Sequence, residues 1–517
     1  MRVKLYVIKR KTEEAARVGE NRSDFSKGSI SKNILSLALP MTAAQLVNVL
    51  YSVVDRIYLG RLPGSSHLAL TGLGVTIPIV SIIMGFANLC GTGGGPIFSI
   101  CRGQGDREEA EGVMGNSFSL LLVLGAICTA FFLIFKRPIL YLFGASDATF
   151  PYADDYMTIY LMGTLFVMIS LGMNPFVNAQ GFGSVGMMTV VLGAAVNIVL
   201  DPIFIFLLDM EVKGAALATV ISQGISAAWV LKFLTGRRAL LTLKLGCLPL
   251  QARRVKRIVA LGLSGFFMNM TNSLVQIVCN ATLQSYGGDL YVGVMTIINS
   301  LREVFFMPVH GLSNGSQPVM GFNYGAGLYS RVRKSIRFSC GLTVAYAAAF
   351  WAAAMVLPEL MIRVFNSEPE VIAAGVPALR VYFALFIPMS LQSAGQSVFV
   401  ALGRSKQAVF FSLLLPAAQS HHQRPPHRHP AHLDGHHGRV LCRGGLSAGG
   451  RPGLLFHHVL YPLPPTGTAE RRGEAAQTSV ILTKPPADED RGFRMEWKNP
   501  SPACALTGDV LKCSASI

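Results

Sequence analysis

The sequence is poor in charge. Lysine, arginine, aspartate and glutamate make up 14% of its 517 residues, against roughly 25% in a soluble domain. A soluble chain of this length needs more charge to cover its surface. With 51% hydrophobic residues, the composition points to a membrane protein and away from a soluble enzyme, a disordered chain or a secreted disulfide scaffold. The nine cysteines are scattered and form no CxxC pair, so neither a zinc site nor a disulfide framework is expected. The run Gly93-Gly94-Gly95 has no Lys-Ser or Lys-Thr behind it, so it is not a phosphate loop; close helix packing is the better reading. No cleavable signal peptide is evident, because residues 1–33 are polar and basic and apolar runs follow at once.

What is present is a series of apolar stretches of about 20 residues. They run over 34–60, 68–100, 112–135, 153–179, 185–208 and 213–235, then 258–283, 288–312, 336–357 and 371–402. An eleventh starts near Lys406 and fails after Leu415. Helices are the expected form, since lipid-facing backbone must satisfy its own hydrogen bonds. The net charge of +17 suggests nucleic acid at first sight, but in a polytopic protein excess Lys and Arg belong to cytoplasmic loops. With the N-terminus inside, inner loops hold sixteen basic residues, among them Arg237, Arg238, Arg253, Arg254, Lys256 and Arg257. The outer loops hold five: Arg61, Lys136, Arg137, Lys213 and Arg363. A multi-pass protein of the cell membrane with a cytoplasmic N-terminus is expected, with no nucleic-acid partner.

The chain repeats itself. Leu39 matches Leu261, Gly93 and Pro96 match Gly315 and Pro318, and Gly103 and Gly105 match Gly325 and Gly327. Phe143 matches Phe365, and Ala179 and Gly181 match Ala401 and Gly403, every pair offset by 222 residues. An even number of helices per half gives both halves one orientation. The expected fold is therefore all-α, with two pseudo-symmetric bundles of the kind secondary transporters use. The expected organisation is a basic segment 1–33, an N lobe 34–235, a cytoplasmic linker 236–257, a C lobe 258–416 and a tail 417–517.

Several stretches carry a family resemblance. "LPMTAAQLVNVLYSVVDRIYLG" (39–60), "GGGPIFSICRGQGD" (93–106), "NAQGFG" (178–183), "NIVLDPIFIF" (197–206) and "GAALATVISQ" (214–223) resemble the multidrug and toxic compound extrusion (MATE) family over roughly 34–415. The resemblance implies twelve helices in two six-helix bundles, so the second bundle here is cut to about four and a half. It also implies export of organic, often cationic, compounds in exchange for sodium ions or protons. It says nothing of which compound.

An ionisable residue inside a span costs about 2.5–3.5 kcal/mol on insertion scales, so each is a functional candidate by default. The N lobe offers Asp55 in the first span and Asp201 in the fifth. From the helix rise, Asp55, Asp201 and Thr219 all lie roughly 8–11 Å below the outer boundary. Asn197, four residues before Asp201, shares its helical face. Two carboxylates, an amide oxygen and a hydroxyl suit a small hard cation, or equally a proton shared between close carboxylates. The bland alternative is that Asp201 caps or kinks its helix before Pro202 while Asp55 pairs with Arg56. The resemblance adds that Asp55, Asn197, Asp201 and Thr219 match the family's N-lobe cation-site positions.

The C lobe differs. Where some family members carry acidic ligands, the seventh span holds Asn269, Asn272, Gln276 and Asn280, and the tenth holds Arg380, Gln392 and Gln396. Coupling through a C-lobe acidic site is therefore not expected. Glu303 in the eighth span either faces a central cavity and meets a cationic substrate or serves as a structural partner. Candidate cavity residues are Gln45, Asn48, Asn174, Asn178 and Glu303, with Met173 and Met295 as adaptable apolar contacts; for each methionine, plain packing is the competing reading.

After Leu415 the sequence changes character. Nine of the eleven histidines fall within 421–458. A metal-binding tract is one reading; a reading-frame shift is favoured. Read one base later, the codons of 418–466 can encode a basic loop and two apolar spans. The tail as written is expected to form no packed structure.

The expected function is cation-coupled export of small organic compounds by a monomer, without a cofactor beyond the coupling sodium or proton. Flipping of lipid or lipid-linked sugar is the first alternative, and a truncated, non-transporting product is the second. No nucleophile–base or metal-ligand constellation suggests an enzyme.

Overall fold

The computed structural model describes residues 24–59, 66–365 and 368–412. The chain divides into two compact units, 1–470 and 471–517; the second lies wholly outside the described residues, as does the histidine-rich tract. Helices follow one another as α1 (Ile30–Leu59), α2 (Ser66–Gln104), α3 (Arg107–Leu142), α4 (Phe150–Met162), α5 (Thr164–Ala179), α6 (Gly183–Pro202) and α7 (Glu211–Leu234). After the linker come α8 (Ala252–Gly325), α9 (Tyr329–Val356), α10 (Pro358–Arg363), α11 (Pro369–Phe383) and α12 (Phe386–Ala401). No strand occurs among the described residues.

Six of these helices are long and apolar enough to cross a membrane, and two further pairs, α4–α5 and α11–α12, do so with bends of 57° and 42°. α3 shows why such helices suit lipid. Leu121, Cys128 and Phe132 are buried in the lobe, while Ile127, Phe131 and Ile134 are exposed. Apolar side chains on both faces are stable only where the outer face meets hydrocarbon.

The structure departs from the expected spans at α8, which is one 74-residue helix where the sequence suggests two. Drawn straight it would be about 111 Å long, against a hydrocarbon core of about 30 Å. Yet near its start Gly262 lies against Leu89, and its last residue, Gly325, lies against Ile100. Those two contacts sit on α2 about 17 Å apart. The chain must therefore turn back between them, so that α8 packs as two limbs.

The 222-residue repeat holds in the backbone. α8 begins 222 residues after α1, α9 begins 222 after α3, and α12 ends 222 after α5. The break at Gly163 between α4 and α5 recurs at Leu385 between α11 and α12. Gly105 and Gly327 both adopt positive φ, as do Gly181 and Gly403. These turns leave a helix through the left-handed region, where only glycine is unstrained.

The two lobes meet along glycine-lined seams. α2 packs on the first limb of α8 through Gly93 and Gly262, and α1 packs on the second limb through Gly311 and Gly315. The linker is fastened to the N lobe. Gln180 accepts from the Leu240 and Leu241 amides at 2.8 and 3.1 Å and donates to the Leu241 carbonyl. Asn116 donates to the Cys247 and Pro249 carbonyls and accepts from the Gln251 amide at 2.7 Å. Glu109 pairs with Arg254 and Arg257, and Glu111 with Lys244.

Candidate coupling site and N-lobe cavity

Asp201 stands one residue from the end of α6, ahead of Pro202. Proline brings no amide hydrogen and interrupts the helical ladder, and the next turn, Ile203–Leu207, widens to a π-helix. Asp201 is fully buried and Asn197 nearly so. The Asn197 amide donates to Asp201 Oδ1 at 3.2 Å. Its own oxygen, Asn197 Oδ1, is buried with no hydrogen-bond partner among the described residues. A buried carbonyl-type oxygen beside a buried carboxylate has the donor chemistry of a hard-cation site.

The helix registers bring the other two candidates to the same level. On α7, Trp229 donates to the Val185 carbonyl and Ser226 to the Thr189 carbonyl, while Gly214 lies against the Phe204 backbone. α6 and α7 therefore run antiparallel, and Thr219 falls opposite the turn between Asn197 and Asp201. Thr219 is itself buried. On α1, Leu37 meets Gly183 at the start of α6, and Asn48 and Tyr51 share a cavity with Gly193 and Ala194. Those two helices run parallel, and Asp55 is as far beyond Leu37 as Asp201 is beyond Gly183. The Asp55 position thus shares the Asp201 level; its side chain lies outside the described residues.

Toward the linker side of this cluster lies a small, partly open cleft between α1, α5, α6 and α7. Asn48, Tyr51, Ser170, Asn174, Thr189 and Gln223 are among its walls, and no charged residue is among those described. Ser170 donates to Gln223 at 2.7 Å, and Asn174 to the Gly186 carbonyl at 3.2 Å. Of the cavity residues expected from sequence, Asn48 and Asn174 line it. Asn178 is buried against Gly186, Met173 is fully buried in the N-lobe core, and Gln45 is half-buried on α1. Met295 packs on the C-lobe core and Glu303 is exposed on α8, so neither shares the N-lobe cavity. Asn269, Asn272, Gln276 and Asn280 have side chains outside the described residues. The cavity hydroxyls Ser170, Thr189, Ser222 and Ser226 were not singled out from sequence.

The MatE family model matches residues 40–203 and 265–415, more than half of the chain and both lobes. The chain belongs to the MatE family. Members of that family are transporters, so this MatE protein is a multi-pass membrane transporter and not an enzyme. It is similar to the multidrug export protein MepA of Staphylococcus haemolyticus, 26% identical over 391 residues, covering 75% of this chain and 85% of that one. Its similarity to MepA of Staphylococcus aureus is 25% over 398 residues, with 75% and 86% covered. Among solved structures, a MATE family transporter of the MOP superfamily in an outward-facing conformation matches with TM-score 0.71 at 23% identity, over 77% of this chain and 88% of that one. A MOP superfamily transporter from Pyrococcus furiosus matches with TM-score 0.72 at 23% identity, over 78% and 89%. These likenesses establish the two-bundle fold of this MatE chain. The family match ends at residue 415, where the sequence changes character.

Proposed function

We propose that this transporter exports small organic compounds from the cell in exchange for sodium ions or protons, with the N-terminus and the linker on the cytoplasmic side. The coupling site is the cluster of Asp55, Asn197, Asp201 and Thr219, and compounds enter the neighbouring N-lobe cavity. The observation that carries this reading is the buried, hydrogen-bonded pair of Asn197 and Asp201. A ligand shifts an equilibrium only through its different affinity for the two states. A cation held here draws α1, α6 and α7 together and closes the cavity between them, which favours release of the compound. Export of multiple drugs by the MepA relatives supports the substrate class.

Vesicles with an imposed sodium or proton gradient test this reading. A fluorescent organic cation should move against its own gradient and stop moving when an ionophore collapses the imposed one. Movement of labelled lipid instead, with no gradient-driven movement of the organic cation, contradicts it.

A further inference from the structure

The segment just ahead of α1 makes contacts that the coupling site does not require. Phe25 is 1% exposed. Its ring meets that of Phe322 edge-on at 5.7 Å between centroids. The Arg102 guanidinium lies 5.3 Å from the Phe25 centroid and 4.9 Å from that of Phe322. Arg102 belongs to the last turn of α2 in the N lobe and donates to the Ala179 carbonyl at 2.6 Å. Phe322 belongs to the last turn of α8 in the C lobe. One N-lobe cation is thus held against two rings, one from each side of the lobe seam.

The backbone of the same segment is gripped from the C lobe. Arg331 donates to the carbonyls of Phe25, Lys27 and Gly28 at 3.0, 3.2 and 3.1 Å. Asn323 donates to the Phe25 carbonyl at 3.2 Å and accepts from Arg331 at 3.1 Å. Phe25 also joins Ile34, Leu37 and Ala38 of α1 and Leu312 and Val319 of α8 in one apolar cluster. The family match begins at residue 40, so the segment lies outside the matched core.

We propose that residues 24–28 are a strap that latches the linker side of the lobe seam shut, so that the seam opens there only when Phe25 leaves its socket. The strap is continuous with the N lobe, yet its Phe25 carbonyl is satisfied by the C-lobe donors Asn323 and Arg331. Parting the lobes strands the Phe25 carbonyl, which Asn323 and Arg331 hold, and uncovers the Phe25 ring. Unpaired buried polar groups are costly, so the latch is held or released as a unit. Its strength sets how long the transporter stays closed on this side. The inference rests on the two-state export reading above but assigns the strap no ion or compound.

The test is thiol labelling of the full-length protein in membranes with a permeant maleimide, resolved peptide by peptide. Val319→Cys reports from beside the strap. Leu312→Cys reports from about 10 Å deeper along the seam. Native Cys128, buried in α3, is the internal control. Phe25→Ala and Arg331→Ala should each speed labelling at both reporters by about tenfold or more, in proportion to the population of the opened state. Cys128 should be unchanged, and Phe25→Tyr should stay close to the parent. Faster labelling at Val319→Cys alone makes the strap a local cover and overturns the proposal. So does no change at either reporter, or a parallel rise at Cys128. The assay needs no gradient and no transported compound, so its outcome is independent of whether the coupling site is assigned correctly.

Discussion

Gly103 and Phe322 touch across the lobe seam so closely that a Cβ on Gly103 would collide with the Phe322 carbonyl oxygen. Gly325 meets the Ile100 carbonyl in the same way, and the two contacts exchange under the 222-residue repeat. The obstacle is backbone on both sides, which cannot rotate out of the way as a flexible side chain can. Gly103→Ala and Gly325→Ala should each prevent full closure and lower transport by about tenfold or more, the scale of a 1.4 kcal/mol shift in the closed state, while membrane insertion stays normal. Gly105→Ala is the contrast. It meets open space but has φ +79°, so it should cost about 1–2 kcal/mol of stability and leave closure intact. Transport per inserted molecule, measured beside thermal stability, separates the two effects.

The linker should behave as part of the N lobe. Asn116 makes three hydrogen bonds to its backbone. Asn116→Ala strands those groups and should cost about 1–3 kcal/mol, read as a lower melting temperature and faster amide exchange over 247–251. Asn116→Asp keeps the acceptor for the Gln251 amide and should fall between alanine and the parent. An unchanged exchange rate in Asn116→Ala contradicts the clamp.

Acid should loosen the strap. Burial pushes the Asp24 carboxyl up, but its hydrogen bonds to Ser26 and the neighbouring Lys27 outweigh this and leave it below the usual carboxylate range. A depressed folded value means that the stabilisation is fully present above the unfolded value, about 3.9. It is lost as pH falls through the folded value. Amide exchange over 24–28, corrected for its intrinsic pH dependence, should gain less protection at pH 3 than at pH 5. Asp24→Asn should abolish that difference.

Much of the architecture is legible in the sequence because its signals are local. Gly105 and Gly327, or Gly181 and Gly403, can be paired by offset alone, and the backbone requires glycine at each. Asp201 is legible because a carboxylate in an apolar run has few reasons to be there. The strap is not legible. Phe25 sits in a polar, basic stretch, and its ring is buried against Phe322 and Val319 of the other lobe. The cavity hydroxyls are silent for another reason. A serine in a membrane helix reads the same whether it packs, as Ser99 does by donating to the Gly95 carbonyl, or lines a cavity, as Ser222 does. The two apolar runs along α8 are legible, but the continuous helix that joins them is not, because the glycines at 287 and 288 weaken a helix without forbidding it.

The nucleotide sequence across codons 410–470 should hold an intact plus-one frame encoding two apolar spans. Restoring that frame should raise gradient-driven transport above that of the chain as given. A plus-one frame interrupted by stop codons contradicts this, and so does equal transport by both chains.

The central claim is that cation binding at the buried N-lobe cluster drives export. It is tested most directly in vesicles holding the frame-restored protein under an imposed sodium or proton gradient, by following a fluorescent organic cation. Asp201→Asn removes the charge at nearly constant size. It should abolish gradient-driven movement while leaving protein level and insertion unchanged, and Asp55→Asn should do the same. Asn197→Ala should weaken the dependence on the coupling ion more than the affinity for the organic cation. Wild-type rates in both Asp201→Asn and Asp55→Asn, at equal protein level, contradict the coupling site.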